Sequence, residues 1–358
     1  MIRRISVLVT GIGGGGFGGQ VLKALLMAKT PYHIVGADMS PTAQGLYEVD
    51  KSYLVPPANS PKYLDVLRKI CLIEKVVVLI PGSEAELLEV SRNSQKFSEI
   101  GATPIVNPPE IIETCMDKWK TFNFLKSNNL NCPRSVLIEN EGDLSKINFY
   151  PAIIKPARSS SGSQNVFLAQ TEEEANFFSR YLQGQGQAPL VQEYIGSYDD
   201  EYTVGVLTLD EGEVVGSIAL RRIITSGLSR KLKVKSYKGS ETYIVSSGIS
   251  QGEVRDFSEI RKYSELIAKK LGVRGPVNIQ GRDTKNGFCP FEINPRFSGT
   301  TSVRALLGYN EPDILVRYHV LGEKPSKIHF RKGFVARGLS ERYISFASMK
   351  RALEKAHE

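Results

Sequence analysis

The stretch VNIQGRDTKNGFCPFEINPRFSGTT, residues 277–301, decides how the rest of the chain is read. Two apolar-rich runs, VNIQGRD and FCPFEINP, flank a turn at Lys285–Gly287, so the segment predicts a β-hairpin. Glu292 and Asn294 are separated by Ile293, which sends both side chains off one face of a strand. Gln280 lies twelve residues before Glu292, near the end of the partner strand. Two oxygen donors on one strand and a third on its neighbour suit a hard cation such as Mg²⁺, which takes its remaining ligands from water and phosphate. Arg296 falls on the same side, where a guanidinium can hold a transferring phosphoryl group. A plain carboxylate–arginine pair at a strand end fits the same spacing.

Upstream, AIIKP delivers Lys155 from an apolar strand, and a buried lysine needs an anion. The following RSSSGSQN, 158–165, offers hydroxyls and backbone amides that can form an anion-binding nest, or simply a turn. Lys118, in MDKWKTF, reads by itself as a solvated helix lysine. VQEYIGSYDDEYTV, 191–204, is an extended stretch carrying Glu193, a turn, then Glu201 on the next strand. Such an edge can present backbone groups to a purine, with Glu201 accepting from ribose hydroxyls.

Further outward, residues 1–107 alternate strand and helix. VLVTGIGGGGFGGQVLKAL, 7–25, places seven glycines in nine residues between a buried strand and a helix. Gly11, Gly13 and Gly16 fit G-x-G-x-x-G, as do Gly13, Gly15 and Gly18, and Asp38 ends HIVGAD where a ribose-binding acid would stand. The pattern fits a dinucleotide site, a site for another phosphate-bearing ligand, or a tight strand-to-helix turn that binds nothing. HIVGAD, KVVVLI and ATPIV read as further strands of a parallel sheet, and PGSEAELLEVSRN as a helix capped by Ser83. NPPEI, 107–111, opens a new regime. EIIETCMDKWKTFNFLKSNN reads as one helix, TEEEANFFSRYL as a helix capped by Thr171 with Glu174, and PLVQEYI, EYTVGVLTLD, EVVGSIALRR and ETYIVSSG as mainly antiparallel strands.

The chain has 358 residues, 41% of them hydrophobic, which suits two or three domains with real cores. No apolar run is long enough to span a bilayer, and the N-terminal apolar stretch runs into glycines instead of a cleavage site. Four isolated cysteines and four scattered histidines give no zinc spacing, and the expectation is a reducing cytoplasm. The net charge is +8, with Arg221, Arg222, Arg230, Lys231, Lys233, Lys235 and Lys238 crowded together. That run suits nucleic acid, an acidic metabolite, a polyphosphate or a solvated loop with flanking strands. Aromatics are not interleaved for stacking, so nucleic acid is weakly supported.

Five segments, CMDKWKTFNFLKSNNLNCP, YPAIIKPARSSSGSQNV, LVQEYIG, DDEYTVGVL and NIQGRD…FCPFEINPRFSGTT, together resemble the ATP-grasp superfamily, in the order it requires. They are most similar to one synthetase half of the carbamoyl-phosphate synthase large subunit and its stand-alone relatives. The resemblance covers about residues 108–322, and the glycine-rich domain resembles the domain preceding the ATP-grasp unit in those enzymes. It implies ATP and Mg²⁺ (or Mn²⁺) held between two α+β subdomains. By that resemblance Lys118 and Lys155 contact the phosphates, and Ser160, Ser161, Gly162 and Ser163 belong to a covering loop. Glu193, Tyr194 and Ile195 lie at the adenine hinge and Glu201 takes the ribose. Gln280, Glu292 and Asn294 hold the metal, and Arg296 faces the γ-phosphate, with Lys155 beside it in catalysis. The covering loop departs from the family in having less glycine and in carrying Gln164 where a basic residue is common. Gln280 replaces the acid of many members, which puts a second metal in doubt.

The expected fold class is therefore α/β and α+β. A parallel-sheet domain (1–107) precedes a two-subdomain ATP-grasp fold (108–190 and 191–335) and a C-terminal tail (336–358). The expected activity is an ADP-forming ligase that activates a small-molecule carboxylate as an acyl-phosphate and couples it to an amine, with a homodimer left open. Gly13 and Gly14 of the glycine loop, Glu84 and Arg304 are candidates for substrate contacts. A split carbamoyl-phosphate synthase subunit is the alternative within the family. An NAD-dependent oxidoreductase using the glycine loop, and a nucleic-acid module using residues 221–238, are the rivals outside it.

Overall fold

The computed structural model describes residues 4–13, 16–158, 165–224, 227–326 and 328–354. The front domain is built from β1 (Ile5–Thr10), α1 (Phe17–Leu26), β2 (Tyr32–Asp38), β3 (Lys51–Leu54), α2 (Tyr63–Ile73), β4 (Val78–Ile80), α3 (Glu84–Arg92), α4 (Ser94–Ser98) and β5 (Thr103–Pro104). Its five strands pair in parallel in the order β3-β2-β1-β4-β5. Buried runs such as Val7–Leu8–Val9 supply strands covered on both faces, the usual condition of a parallel sheet. Ser83 and Glu86 form the capping box that starts α3.

Gly11 and Gly18 of the first turn are consumed by packing. Gly11 has φ +57°, and a Cβ on Gly18 would sit 2.4 Å from the carbonyl oxygens of Thr10 and Gly11. α1 therefore rides directly on the end of β1, and Gly18 N–H donates to Gly82 O at 3.0 Å. Asp38 is occupied as well. Its Oδ2 accepts from Gly13 N–H at 2.7 Å and its Oδ1 from Ser40 N–H at 2.9 Å. The acid that would hold a dinucleotide ribose instead braces its own loop, which corrects the dinucleotide alternative for this turn.

α5 (Pro109–Met116) and α6 (Lys118–Ser127) follow. The sequence predicts one helix here, but Asp117 breaks it. Its backbone is extended, and its Oδ1 accepts from Trp119 and Lys120 N–H at 3.0 Å each, so it caps a second helix whose first residue is Lys118.

A four-stranded antiparallel sheet, in the order β6-β9-β7-β8, contains β6 (Ser135–Leu137), β7 (Ala152–Pro156), β8 (Phe167–Ala169) and β9 (Pro189–Glu193), with α7 (Glu172–Gly184) packed on it. Thr171 caps α7 by accepting from Glu174 N–H. This unit has its own core of Ile138, Ile154, Leu182 and Val191.

The larger unit contains β10 (Glu201–Thr208), β11 (Val214–Arg222), β12 (Arg230–Lys235), β13 (Thr242–Ser246), β14 (Gly252–Val254), α8 (Ser258–Leu271), β15 (Pro276–Thr284), β16 (Gly287–Asn294), α9 (Thr301–Leu306), α10 (Glu311–Leu321) and β17 (Gly333–Val335). Six strands form one antiparallel sheet, β16-β15-β10-β11-β14-β17, and β12–β13 form a separate hairpin. One continuous core joins Val7, Val9 and Ile80 of the front domain to Leu207, Phe297 and Tyr309 of this unit. Buried Asn107 ties the junction. Its Nδ2 donates to Pro276 O and Pro295 O at 2.9 and 3.0 Å, and its Oδ1 accepts from Arg274 N–H at 2.8 Å. The last helix, α11 (Phe346–Glu354), returns to β3, so the C-terminal segment packs on the front domain.

Candidate active site

The sheet face between the two antiparallel units is polar because of register. β10, β15 and β16 place Thr203, Gln280 and Glu292 in one cross-strand row, and Gly205, Asn278 and Asn294 in the next. Glu201 lies opposite Arg282 in the row before. The β15–β16 ladder skips Phe291, a bulge that frees its carbonyl beside the row. Lys155 Nζ, arriving from β7 across the gap, donates to that carbonyl at 3.4 Å and to Gln192 Oε1 at 2.8 Å.

The resulting cleft, open to solvent on one side, offers about 1270 Å³ of space between the walls and the bulk. Lys118, Lys155, Glu193, Tyr194, Ile195, Glu201, Gln280, Glu292 and Arg296 all line it, together with Glu84 from the front domain. Asn294 lines a smaller recess beside it, where Glu84, Lys118, Glu292 and Arg296 also reach. Gly14, Ser160, Ser161, Gly162, Ser163 and Gln164 lie outside the described residues.

The electrostatics are asymmetric. Burial, reinforced by the neighbouring charge of Lys118, lowers the Lys155 ammonium from 10.5 to about 7, and Glu292 works in the opposite direction. Two cations crowded into a half-desolvated gap are paired more fully by phosphate oxygens than by anything in this wall. Arg296 is held in place by Glu84 at 2.9 Å, by donation to Phe297 O at 3.0 Å and by the Phe17 ring 4.8 Å from its guanidinium carbon. Arg134 grips Glu193 through two 2.9 Å bonds and holds its carboxyl below the usual range. Tyr194 stacks under Arg282 at 4.2 Å, and its hydroxyl exchanges bonds with the backbone of Ile244.

The donor set of Gln280, Glu292 and Asn294 consists of oxygens with a single carboxylate. Among the described residues no group of three or more His, Cys, Asp or Glu could hold a metal. Such a set does not cage a transition metal. It fits a hard cation that brings phosphate and water ligands with it.

Several placements were not legible beforehand. Glu201 is buried between Arg222, at 2.7 Å, and Arg282, at 3.1 Å, with side-chain exposures of 1%, 2% and 6%. Arg222 therefore leaves the basic run, and Arg221 pairs with Glu253 at 2.9 Å, so residues 221–238 do not form one patch. Lys231, Lys233 and Lys235 alternate outward on β12, and its partner β13 turns Ile244 and Ser246 toward the cleft. The signal for Arg222 and Arg282 was a charged residue inside an apolar strand. Gln192, the partner of Lys155, showed only as a neutral polar residue in LVQEYI.

Arg304 is the clear correction among the substrate candidates. Its guanidinium is 3% exposed, bound to Glu311 at 3.1 Å and to Asn278 Oδ1 at 2.5 Å. It fits over Gly205, where a Cβ would come within 2.0 Å of its Nη1. Arg304 therefore holds Asn278 and the sheet register and does not line the cleft. Gly13 does not line it either, because its N–H is spent on Asp38.

Comparison with known proteins agrees with this architecture. The PylC-like N-terminal domain matches residues 7–105, and the ATP-grasp domain matches residues 115–300. The carbamoyl phosphate synthase large chain of Thermoanaerobacter pseudethanolicus is 23% identical over 228 residues, 63% of this chain and 20% of that protein. The chain thus spans about a fifth of the length of that relative. The coenzyme gamma-F420-2:alpha-L-glutamate ligase of Methanocaldococcus jannaschii is 28% identical over 231 residues, 62% of this chain and 72% of that one. The biotin carboxylase of Campylobacter jejuni, solved as a β-γ-ATP complex, superposes with a TM-score of 0.65 over 92% of this chain and 74% of its own, at 16% identity, which shows a shared fold. With its ATP-grasp domain covering more than half of the sequence, this chain belongs to the ATP-grasp family.

Proposed function

We propose that the chain is an ATP-dependent, ADP-forming ligase that joins a small-molecule carboxylate to an amine. One observation carries the reading. Lys118, Lys155, Gln280, Glu292 and Arg296, scattered over nearly two hundred residues, meet in one cleft with the Glu193–Ile195 edge at its other end.

A carboxylate is a poor electrophile, because its leaving group would be oxide. Attack of a carboxylate oxygen on the γ-phosphorus breaks the bond to the β-phosphate bridging oxygen, releases ADP and leaves an acyl-phosphate. An amine then attacks the carbonyl carbon, phosphate departs with the bonding pair, and the nitrogen loses its proton. Transfer of this kind depends on positioning and charge neutralisation. Lys155 and Lys118 bind the phosphate oxygens, and Arg296, held from behind by Glu84, faces the transferring group. Tyr194 and Ile195 receive the base, and Glu201 stands at the sugar end. Gln280, Glu292 and Asn294 would hold Mg²⁺, which supplies further neutralisation of the phosphate charge. Closing the gap around bound substrates would exclude water that hydrolyses the acyl-phosphate. The four cysteines are free, which supports a cytoplasmic setting for this chemistry. Among the described residues no helix is long and apolar enough to cross a membrane.

ADP release, screened over pairs of carboxylates and amines with mass spectrometry of the product, tests the reading. No ADP above the water background for any pair, and no Mg·ATP binding, would refute it. A second reading, one unit of a split carbamoyl-phosphate synthase, is favoured by the match to such large chains. It predicts ADP release with bicarbonate and ammonia.

A further inference from the structure

A second pocket, open to solvent and offering about 880 Å³, adjoins the first cleft, and Gly248 and Gly299 line both. Its floor is one face of α1, with Gly16, Gly19, Gln20 and Lys23 at helical spacing. Its far wall is the C-terminal segment Arg337–Ser340. α1 begins without a side-chain cap and without an acid in its first turn, and the Gly82 carbonyl that takes the Gly18 N–H leaves its positive end without a neutralising charge.

Arg337 is the unusual group here. Its Nη1 donates to Gly299 O at 2.7 Å and its Nη2 to Gln20 Oε1 at 2.8 Å. Both acceptors are neutral, and among the described residues no carboxylate pairs with it. Gln20, itself buried, also accepts from the Ser302 hydroxyl, so the guanidinium is aimed and not merely resting. Burial lowers its basicity, as it does for a cation short of a counter-ion. The acid in this cavity, Glu48, is engaged with Arg342 at 3.4 Å and accepts from Gln44 Nε2 at 3.0 Å.

We propose that this cavity binds the amine substrate, and that Arg337, with Lys23 and the start of α1, recognises an anionic group that this substrate carries away from its reacting nitrogen. The inference rests on the ligase reading above. Arg337 is a specificity-determining residue in this scheme. The anion lies between it and α1, and the nitrogen points past Gly248 and Gly299 toward the acyl-phosphate. An α-amino acid has this chemistry, and so has an amine bearing a phosphate. The glycines at 16 and 19 then serve a second purpose: they leave the helix face bare where the substrate lies.

The test uses the full chain loaded with Mg·ADP. The heat of loading reports on the nucleotide reading by itself. The loaded protein is then titrated with the common α-amino acids, their carboxamides and O-phosphoethanolamine. At least one anion-bearing amine is expected to bind, with its uncharged counterpart weaker by about twentyfold, the worth of one charge-assisted hydrogen bond. A preference for the phosphate-bearing amine would assign the anion as phosphate, and a preference for an amino acid would assign it as carboxylate. Arg337→Met is expected to erase the preference with ADP binding unchanged, and Arg337→Lys to keep part of it. If Arg337→Met also loses the ADP heat, Lys23→Gln gives the independent reading, a several-fold weakening of the anion-bearing amine alone. Normal ADP loading with equal binding of acid and carboxamide, with no binding of any probe, or with the preference retained in Arg337→Met, would overturn the proposal.

Discussion

Glu84 and Arg296 meet at 2.9 Å, although 212 residues separate them. Glu84 is the first residue of α3 in the front domain, and Arg296 follows the last strand of the cleft. The front domain thereby sets the position of the guanidinium proposed to face the γ-phosphate. Glu84→Gln is expected to cut the rate of ADP release by about 10- to 100-fold, as losing an orienting partner does elsewhere. The glutamine amide oxygen can still accept from Arg296, so thermal stability should move less than the rate. A rate within threefold of wild type would detach Glu84 from the chemistry.

Lys155→Met and Glu292→Ala should each reduce ADP production by 10²–10³ or more, the usual cost of losing one electrostatic contact to the transition state. Lys155→Met also removes a buried charge, so the variant should unfold at the same temperature as wild type or higher. Near-normal ADP production by either variant counts against the cleft.

The depressed lysine has a pH signature. With its folded value near 7 and its unfolded value near 10.5, Lys155 binds fewer protons folded than unfolded between these limits. The empty protein therefore gains stability from this group as pH rises from about 7 to about 10.5. Phosphates restore the charge, so nucleotide binding at pH 8 should take up a proton. Titration calorimetry in buffers of different ionisation enthalpy measures this uptake, which Lys155→Met should abolish.

Glu201→Gln leaves the Arg222 and Arg282 guanidinium groups buried without their carboxylate. Breaking a buried ion pair on one side costs about 3–5 kcal/mol, so denaturant unfolding should shift by that order. An unchanged midpoint would mean that Glu201 serves only the nucleotide.

Gly18→Ala places a methyl 2.4 Å from two backbone carbonyl oxygens, those of Thr10 at the end of β1 and of Gly11 just after it. It should destabilise the front domain by about 1–3 kcal/mol, as overpacking does. NADH is expected not to bind the wild-type chain, and calorimetry or fluorescence would show it.

Features carried by local chemistry were legible in the sequence. The Ser83 cap, the Thr171 cap with Glu174 and the hairpin around Lys285–Gly287 depend on residues a few positions apart, and the β-strand period put Glu292 and Asn294 on one face. What escaped depends on distant partners. Arg222 and Arg282 reach Glu201 over 21 and 81 residues, and Arg337 reaches Gln20 over 317. Asp117 was local yet overlooked, because its apolar flanks hid a cap inside a helical pattern. The acid ending β2 and the glycine turn misled for the opposite reason, since backbone amides and close packing use the same residue types as a nucleotide phosphate and ribose.

The core shared by Val7, Ile80, Leu207, Phe297 and Tyr309 bears on modularity. A recombinant swap cut at residue 107 would divide a packed interior and strand the Asn107 amide from its three carriers on the other parent. Donors for such hybrids would have to be matched at that seam, and libraries shuffled within the separately cored β6–β9 sheet should yield more folded offspring than those crossed at the front.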